Sequence, residues 1–95
     1  MVFPDQACLH VIVRGVVQGV GFRFFAERLA RRYDLTGYVR NLPDDTVEIE
    51  AEGDHGLLND FLKEVHIGPR AGYVSGLDVE WKPYTGSYEG FRIRF

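Results

Sequence analysis

CLHVIVRGVVQGVGFRFFAERLARRYD, residues 8–34, changes its hydrophobic period once along its length, and that change decides the fold. From Cys8 to Arg14 the run is dominated by apolar and β-branched residues, which predicts a strand buried in a sheet. Leu9, Val11 and Val13 share one face of that strand, and Cys8, His10, Ile12 and Arg14 share the other. A glycine-rich stretch follows from Gly15 to Gly21. From Phe22 to Asp34 the spacing becomes helical: Phe22, Phe25, Ala26, Leu29 and Tyr33 form one stripe, with Glu27, Arg28 and Arg31 facing away. Phe24 lies off that stripe, where amphipathicity gives no reason for an aromatic ring.

Working outward, Leu35 to Asn41 reads as a second strand, followed by a tight turn at Pro43-Asp44-Asp45. Val47 to Glu52 alternates, with Val47, Ile49 and Ala51 expected inward and Glu48, Glu50 and Glu52 toward solvent. Asp54 is a fitting N-cap for a second helix whose stripe is Leu57, Leu58, Phe61, Leu62 and Val65, stopped at Gly68-Pro69. A strand with Leu77, Val79 and Trp81 inward comes next, and Phe91, Ile93 and Phe95 alternate with Arg92 and Arg94 at the end. The order β-α-β-β-α-β plus a short C-terminal strand predicts an α+β fold. Its architecture is a two-layer ferredoxin-like sandwich, an antiparallel-rich sheet with two helices on one face.

Ninety-five residues match one domain, residues 1–95, and a 45% hydrophobic share with 14% aromatics supplies an ordinary core. The net charge of −3 speaks against a non-specific nucleic-acid binder, which needs a basic face. Arg23, Arg28, Arg31 and Arg32 cluster in the first helix, yet no aromatic–basic RNA signature accompanies them. Cys8 is the one cysteine, so neither an intramolecular disulfide nor a cysteine-based zinc site can form. Met1 to Gln6 shows no signal-peptide pattern, and no apolar run approaches the ~20 residues that span a bilayer, so the expectation is a cytoplasmic protein with no membrane partner.

Chemistry concentrates in Gly15-Val16-Val17-Gln18-Gly19-Val20-Gly21-Phe22-Arg23. Three glycines in seven residues let the backbone turn tightly and expose its N–H groups. The helix beginning near Phe22 adds unpaired N–H groups and the positive end of its dipole. Such a junction can hold a phosphate-sized anion, and Arg23 adds a planar fork suited to phosphate oxygens. The alternating valines are unusual for a plain surface loop. Neither a Gly-Lys-Ser/Thr ending nor a Gly-x-Gly-x-x-Gly run is present, so nucleotide-binding loops are excluded. The remaining reactive side chains read as structural. Cys8 and His10 sit in the first strand as a core thiol and an open-face histidine, and His55 and His66 lie at opposite ends of helix two. Glu48, Glu50 and Glu52 form a solvated face that Arg92 or Arg94 could neutralise.

The run from Gly15 to Arg23 resembles the signature of the acylphosphatase family, and Gly37-Tyr38-Val39-Arg40-Asn41, followed by the turn and Val47-Glu48, resembles its second motif. The resemblance spans essentially the whole chain, including the late Gly68-Pro69. It implies a hydrolase that cleaves the carboxyl–phosphate bond of acyl phosphates without metal or other cofactor. The backbone of Gly15, Val16, Val17, Gln18, Gly19, Val20, Gly21 and Phe22, together with Arg23, would bind phosphate, and Asn41 would orient the attacking water. Inorganic phosphate or sulfate is then the expected competing anion, and a monomer the expected state. Two departures stand out: Tyr38 where relatives commonly carry tryptophan, and Asp44-Asp45 where Asp-Gly is common. Similar domains also occur fused to hydrogenase-maturation carbamoyltransferases, but a 95-residue chain reads as the free-standing enzyme. The alternative is a non-catalytic ferredoxin-like module that binds a small anion or a protein partner.

Overall fold

Period-2 and period-3.6 patterning resolve into β1 (Gln6–Val16), α1 (Phe22–Arg32), β2 (Thr36–Asn41), β3 (Val47–Asp54), α2 (His55–Ile67), β4 (Tyr73–Lys82) and β5 (Phe91–Arg94). The computed structural model describes residues 5–95. The reading of the extreme N-terminus as lacking a signal sequence therefore falls, for Met1 to Pro4, outside the described residues. The five strands lie in the order β4-β1-β3-β2-β5. The β1–β3, β1–β4 and β2–β3 ladders are antiparallel, and β5 joins the far edge parallel to β2. Helix α1 packs on β2 and β5, and α2 on β1, β3 and β4, closing one apolar layer. This is the expected two-layer α+β sandwich.

Leu9, Val11 and Val13 of β1, Ile49 and Ala51 of β3, and Val39 of β2 meet Phe22, Ala26, Leu29, Leu58, Phe61 and Val65 from the helices. Burial of these side chains drives the layers together. Asp54 caps α2, its carboxylate accepting the Leu57 N–H at 3.0 Å. Gly68 ends that helix at φ 76°, its N–H donating to the Glu64 carbonyl at 2.9 Å. Among the described residues no helix is long and apolar enough to cross a membrane.

Two expectations about faces are corrected. Val79 and Trp81 sit in register with Val11 and Leu9, on the core side, yet both are partly exposed. Strand β4 is a sheet edge, with no strand among the described residues on its outer side, and the His55 ring lies over Trp81 at 4.6 Å between centroids. The glutamates of β3 do not face solvent. Glu52 is 1% exposed and accepts hydrogen bonds from the Thr85 N–H and hydroxyl and the Gly86 N–H. Glu50 accepts from Lys82 Nζ at 3.0 Å and from the Tyr88 hydroxyl at 2.5 Å, while Glu48 pairs with Arg40 and His10 rather than with Arg92 or Arg94. The segment after β4 folds back over this face, and its hydroxyls and N–H groups replace water. Burial pushes the Glu50 carboxyl up, and the bonds from Tyr88 and Lys82 outweigh it, leaving it below the ordinary range. Glu48 follows the same balance, with His10 and Arg40 overcoming burial.

Candidate active site

Strand β1 continues through Gly15 and Val16, which pair with Val74 and Tyr73 of β4 after a register shift between Arg14 and Gly15. At that bulge Gly15 has φ 131°, and a Cβ there would lie 2.0 Å from the Tyr73 carbonyl oxygen, so no side chain fits. The connection proper is Val17 to Gly21. Val17 is buried and pins its start into the core. Gly19 at φ 75° and Gly21 at φ 76° occupy the left-handed region that glycine enters without strain.

Gly21 is the N-cap of α1 and supplies no side chain to cap it. The first intrahelical bond runs from the Phe25 N–H to the Gly21 carbonyl at 3.0 Å. The N–H groups of Phe22, Arg23 and Phe24 therefore lack helical acceptors, and no acidic residue occupies the first turn to compete for them. Val17, Gly19, Gly21, Phe22, Arg23, Phe24 and Asn41 line a cavity of about 100 Å³ at this junction. Of the expected phosphate-binding run, then, Val17, Gly19, Gly21, Phe22 and Arg23 border the cavity. Gly15 and Val16 belong to the strand, and Gln18 points its side chain elsewhere.

Asn41 comes to the cavity from across the molecule, as the last residue of β2, opposite Val47. Its Oδ1 is buried and, among the described residues, has no hydrogen-bond partner. An orphaned buried acceptor is costly unless something outside the chain satisfies it. Arg23 makes no ion pair among the described residues, and its guanidinium lies 4.8 Å from the centroid of the Phe95 ring. Both polar groups of the cavity are thus uncommitted to protein partners of opposite charge or donor character.

Gln18 holds the two halves together, a role the sequence did not reveal. Its Nε2 donates to the carbonyls of Leu42 at 2.8 Å and Thr46 at 2.9 Å, tying the glycine-rich connection to the turn that follows Asn41. That turn is closed by the Leu42 N–H to the Thr46 carbonyl at 2.9 Å, with Asp45 at φ 72°. Asp44 accepts from the N–H and hydroxyl of Thr46. Phe24, off the helix stripe, is the lining residue not anticipated as functional; its irregular position was the available signal.

A larger hollow of about 300 Å³ lies along β5, lined by Gly37, Ser87, Tyr88, Glu89, Arg92, Ile93 and Arg94. Its lining carries Arg92 and Arg94 together with Glu89, but no helix N-terminus borders it to supply free N–H groups. Cys8 is buried on the far face, where burial and the neighbouring Glu50 push its thiol up to about 12, so it is no nucleophile. No carboxylate, thiol or imidazole borders the smaller cavity, whose donor set suits an anion and not a metal ion.

Fold and cavity define a ferredoxin-like sandwich whose first strand–helix junction offers free N–H groups, one arginine and one buried amide to a single small anion. The sequence profile of the acylphosphatase family matches residues 9–93. An acylphosphatase from Salinibacter ruber is 49% identical over 82 residues, 86% of each chain. The crystal structure of acylphosphatase from Bacillus subtilis superposes with a TM-score of 0.91 at 35% identity, covering 94% of this chain and 99% of that one. Full-length HypF in its phosphate- and nucleotide-bound form also contains the fold, at a TM-score of 0.85 and 27% identity, over 99% of this chain but 12% of HypF. The chain belongs to the acylphosphatase family.

Proposed function

We propose that this protein hydrolyses acyl phosphates at the cavity between α1 and β2, with the Phe22 end of α1 and Arg23 holding the phosphoryl group and Asn41 orienting water. Water oxygen bonds to phosphorus as the bond from phosphorus to the acyl oxygen breaks. The bonding pair leaves with the carboxylate, so RCO–OPO₃²⁻ and H₂O become RCOO⁻ and H₂PO₄⁻. The substrate is a mixed anhydride, and its carboxylate is already a good leaving group. Neither a strong general acid nor a covalent intermediate is required. What remains is to hold water in line and to stabilise charge on the equatorial oxygens. Backbone N–H groups and the Arg23 fork suit the second task. An amide cannot serve as a base near neutral pH, but it can fix a water through its oxygen. The single observation that carries this reading is the unpartnered, buried Oδ1 of Asn41 beside the cavity that Arg23 also lines.

Hydrolysis of acetyl and benzoyl phosphate, with and without chelator, tests the reaction, and two variants test the roles. Arg23→Gln should weaken inhibition by phosphate and lower kcat together, because Arg23 meets the phosphoryl group in ground and transition states alike. Asn41→Ala should lower kcat about 10²-fold while phosphate inhibition stays nearly constant. Near-normal turnover in Asn41→Ala would refute the water-orienting role. Loss of activity in chelator, restored by magnesium, would refute the metal-free chemistry.

A further inference from the structure

The proposed reaction leaves the acyl group without a binding surface, and the geometry restricts where one can be. A cavity of about 100 Å³ is well below the roughly 300–1,000 Å³ of sites that enclose a whole drug-sized ligand, so with the phosphoryl group held at the helix start the acyl portion lies toward the rim. Most of the lining cannot receive it: Val17 and Phe22 are buried, and Gly19 and Gly21 carry no side chain. Phe24 differs. It stands on the first turn of α1, off the core-facing stripe, 55% exposed and yet part of the lining.

A single exposed phenylalanine is ordinary on a protein surface. Here a second ring, reached independently through the fold, accompanies it. Phe95 follows β5, is 97% exposed, and lies against the Arg23 guanidinium. Two exposed aromatic rings therefore flank the one arginine of the cavity, one adjacent in the chain and one brought by the edge strand. We propose that Phe24, together with the Phe95 ring beside Arg23, forms the acyl-contacting surface, and that the favoured substrates are acyl phosphates with aromatic or large apolar acyl groups. An aromatic acyl group can stack offset or edge-on against Phe24, a contact that a two-carbon acyl group cannot make. The inference rests on the acyl phosphate reading above.

The test is the ratio of kcat/KM for benzoyl phosphate to that for acetyl phosphate, in wild type, Phe24→Ala and Phe24→Trp. Comparing ratios removes the intrinsic difference in reactivity between the two substrates. Phe24→Ala should lower the ratio about fivefold, the worth of one aromatic contact, and leave the inhibition constant for inorganic phosphate within about twofold. Phe24→Trp should keep the ratio. Because the ring is half in water, the variants should fold, which a urea titration verifies. A ratio unaltered in Phe24→Ala, or a fall shared equally by both substrates, overturns the proposed surface while the hydrolase reading stands. A wild-type protein that hydrolyses neither substrate overturns the hydrolase reading itself, and this inference with it.

Discussion

Replacing Gln18 by methionine keeps the length of the side chain and removes the amide, so it isolates the link between the two halves of the site. Two hydrogen bonds are lost, to the carbonyls of Leu42 and Thr46. Neither carbonyl is orphaned: Thr46 O still accepts the Leu42 N–H, and Leu42 O still accepts the Asp45 N–H at 3.3 Å. The cost is therefore the net value of two neutral bonds, about 1 kcal/mol each, without a further penalty for buried unsatisfied groups. The total is about 2 kcal/mol, and a urea slope of roughly 1.5 kcal/mol per molar places the midpoint about 1 M lower. Activity should fall for a separate reason. Asn41 directly precedes Leu42, so untying the turn frees the amide to drift relative to Arg23. A displacement near 1 Å can lower turnover up to about 10²-fold. We expect kcat to drop about tenfold or more with phosphate inhibition weakened far less, because Gln18 holds the connection through side-chain bonds and not through the anion. Urea unfolding and steady-state kinetics on one preparation decide it. Unchanged midpoint and unchanged kcat in Gln18→Met would show that the connection and the turn are held by other means.

Asp45→Gly should raise stability by about 0.5 kcal/mol, seen as a slightly higher urea midpoint, since glycine relieves the φ of 72° and offsets this only partly through its freer unfolded chain. Thr46 bonds to Asp44 and not to Asp45, so no hydrogen bond to a carboxylate is lost; clear destabilisation would refute the strain argument. Glu48 and Glu50 have folded-state carboxyls below the 4.5 of an ordinary glutamate, so they contribute stability that is present above that value and lost as pH falls through the folded one. The urea midpoint should therefore decline as pH falls below the ordinary glutamate value, and Glu50→Gln should flatten that decline. An acid limb identical in Glu50→Gln and wild type would show that the buried carboxylate does not govern it.

The element order and the core stripes were legible because period 2 and period 3.6 are local properties of the chain. Asp54 as a cap, Gly68 as a stop and Asp45 at the turn were legible for the same reason, each being a short-range rule. The buried glutamates were not. Alternation in β3 states only that Glu48, Glu50 and Glu52 share a face; whether that face is wet depends on Thr85, Gly86 and Tyr88, more than thirty residues away. Val79 and Trp81 carry the right phase, but their exposure follows from the edge position of β4, which only the assembled sheet defines. Within the site, Arg23 and the glycines could be read from the segment itself. The bond from Gln18 to the turn and the unpartnered Oδ1 of Asn41 arise only when residues more than twenty apart meet.

That division follows from the chemistry the site is asked to perform. An activated phosphoryl group needs a shaped ring of donors more than it needs reactive side chains, and backbone N–H groups provide donors whatever the side chain. The sequence requirement then shifts from functional groups to conformations. Gly15 is fixed by the Tyr73 carbonyl that leaves no room for a Cβ, and Gly19 and Gly21 by their left-handed φ. Val16, exposed and outside the cavity lining, is constrained in backbone path rather than in side chain, whereas Val20 packs against the core. A site of this kind is robust to most side-chain replacements and brittle to backbone ones. The two side chains on which the proposed mechanism rests, Arg23 and Asn41, lie on separate elements, α1 and β2, so their alignment is a property of the whole sandwich. On the proposed mechanism the Gln18 amide, bonded to the turn after Asn41, is the tether that would couple stability to catalysis.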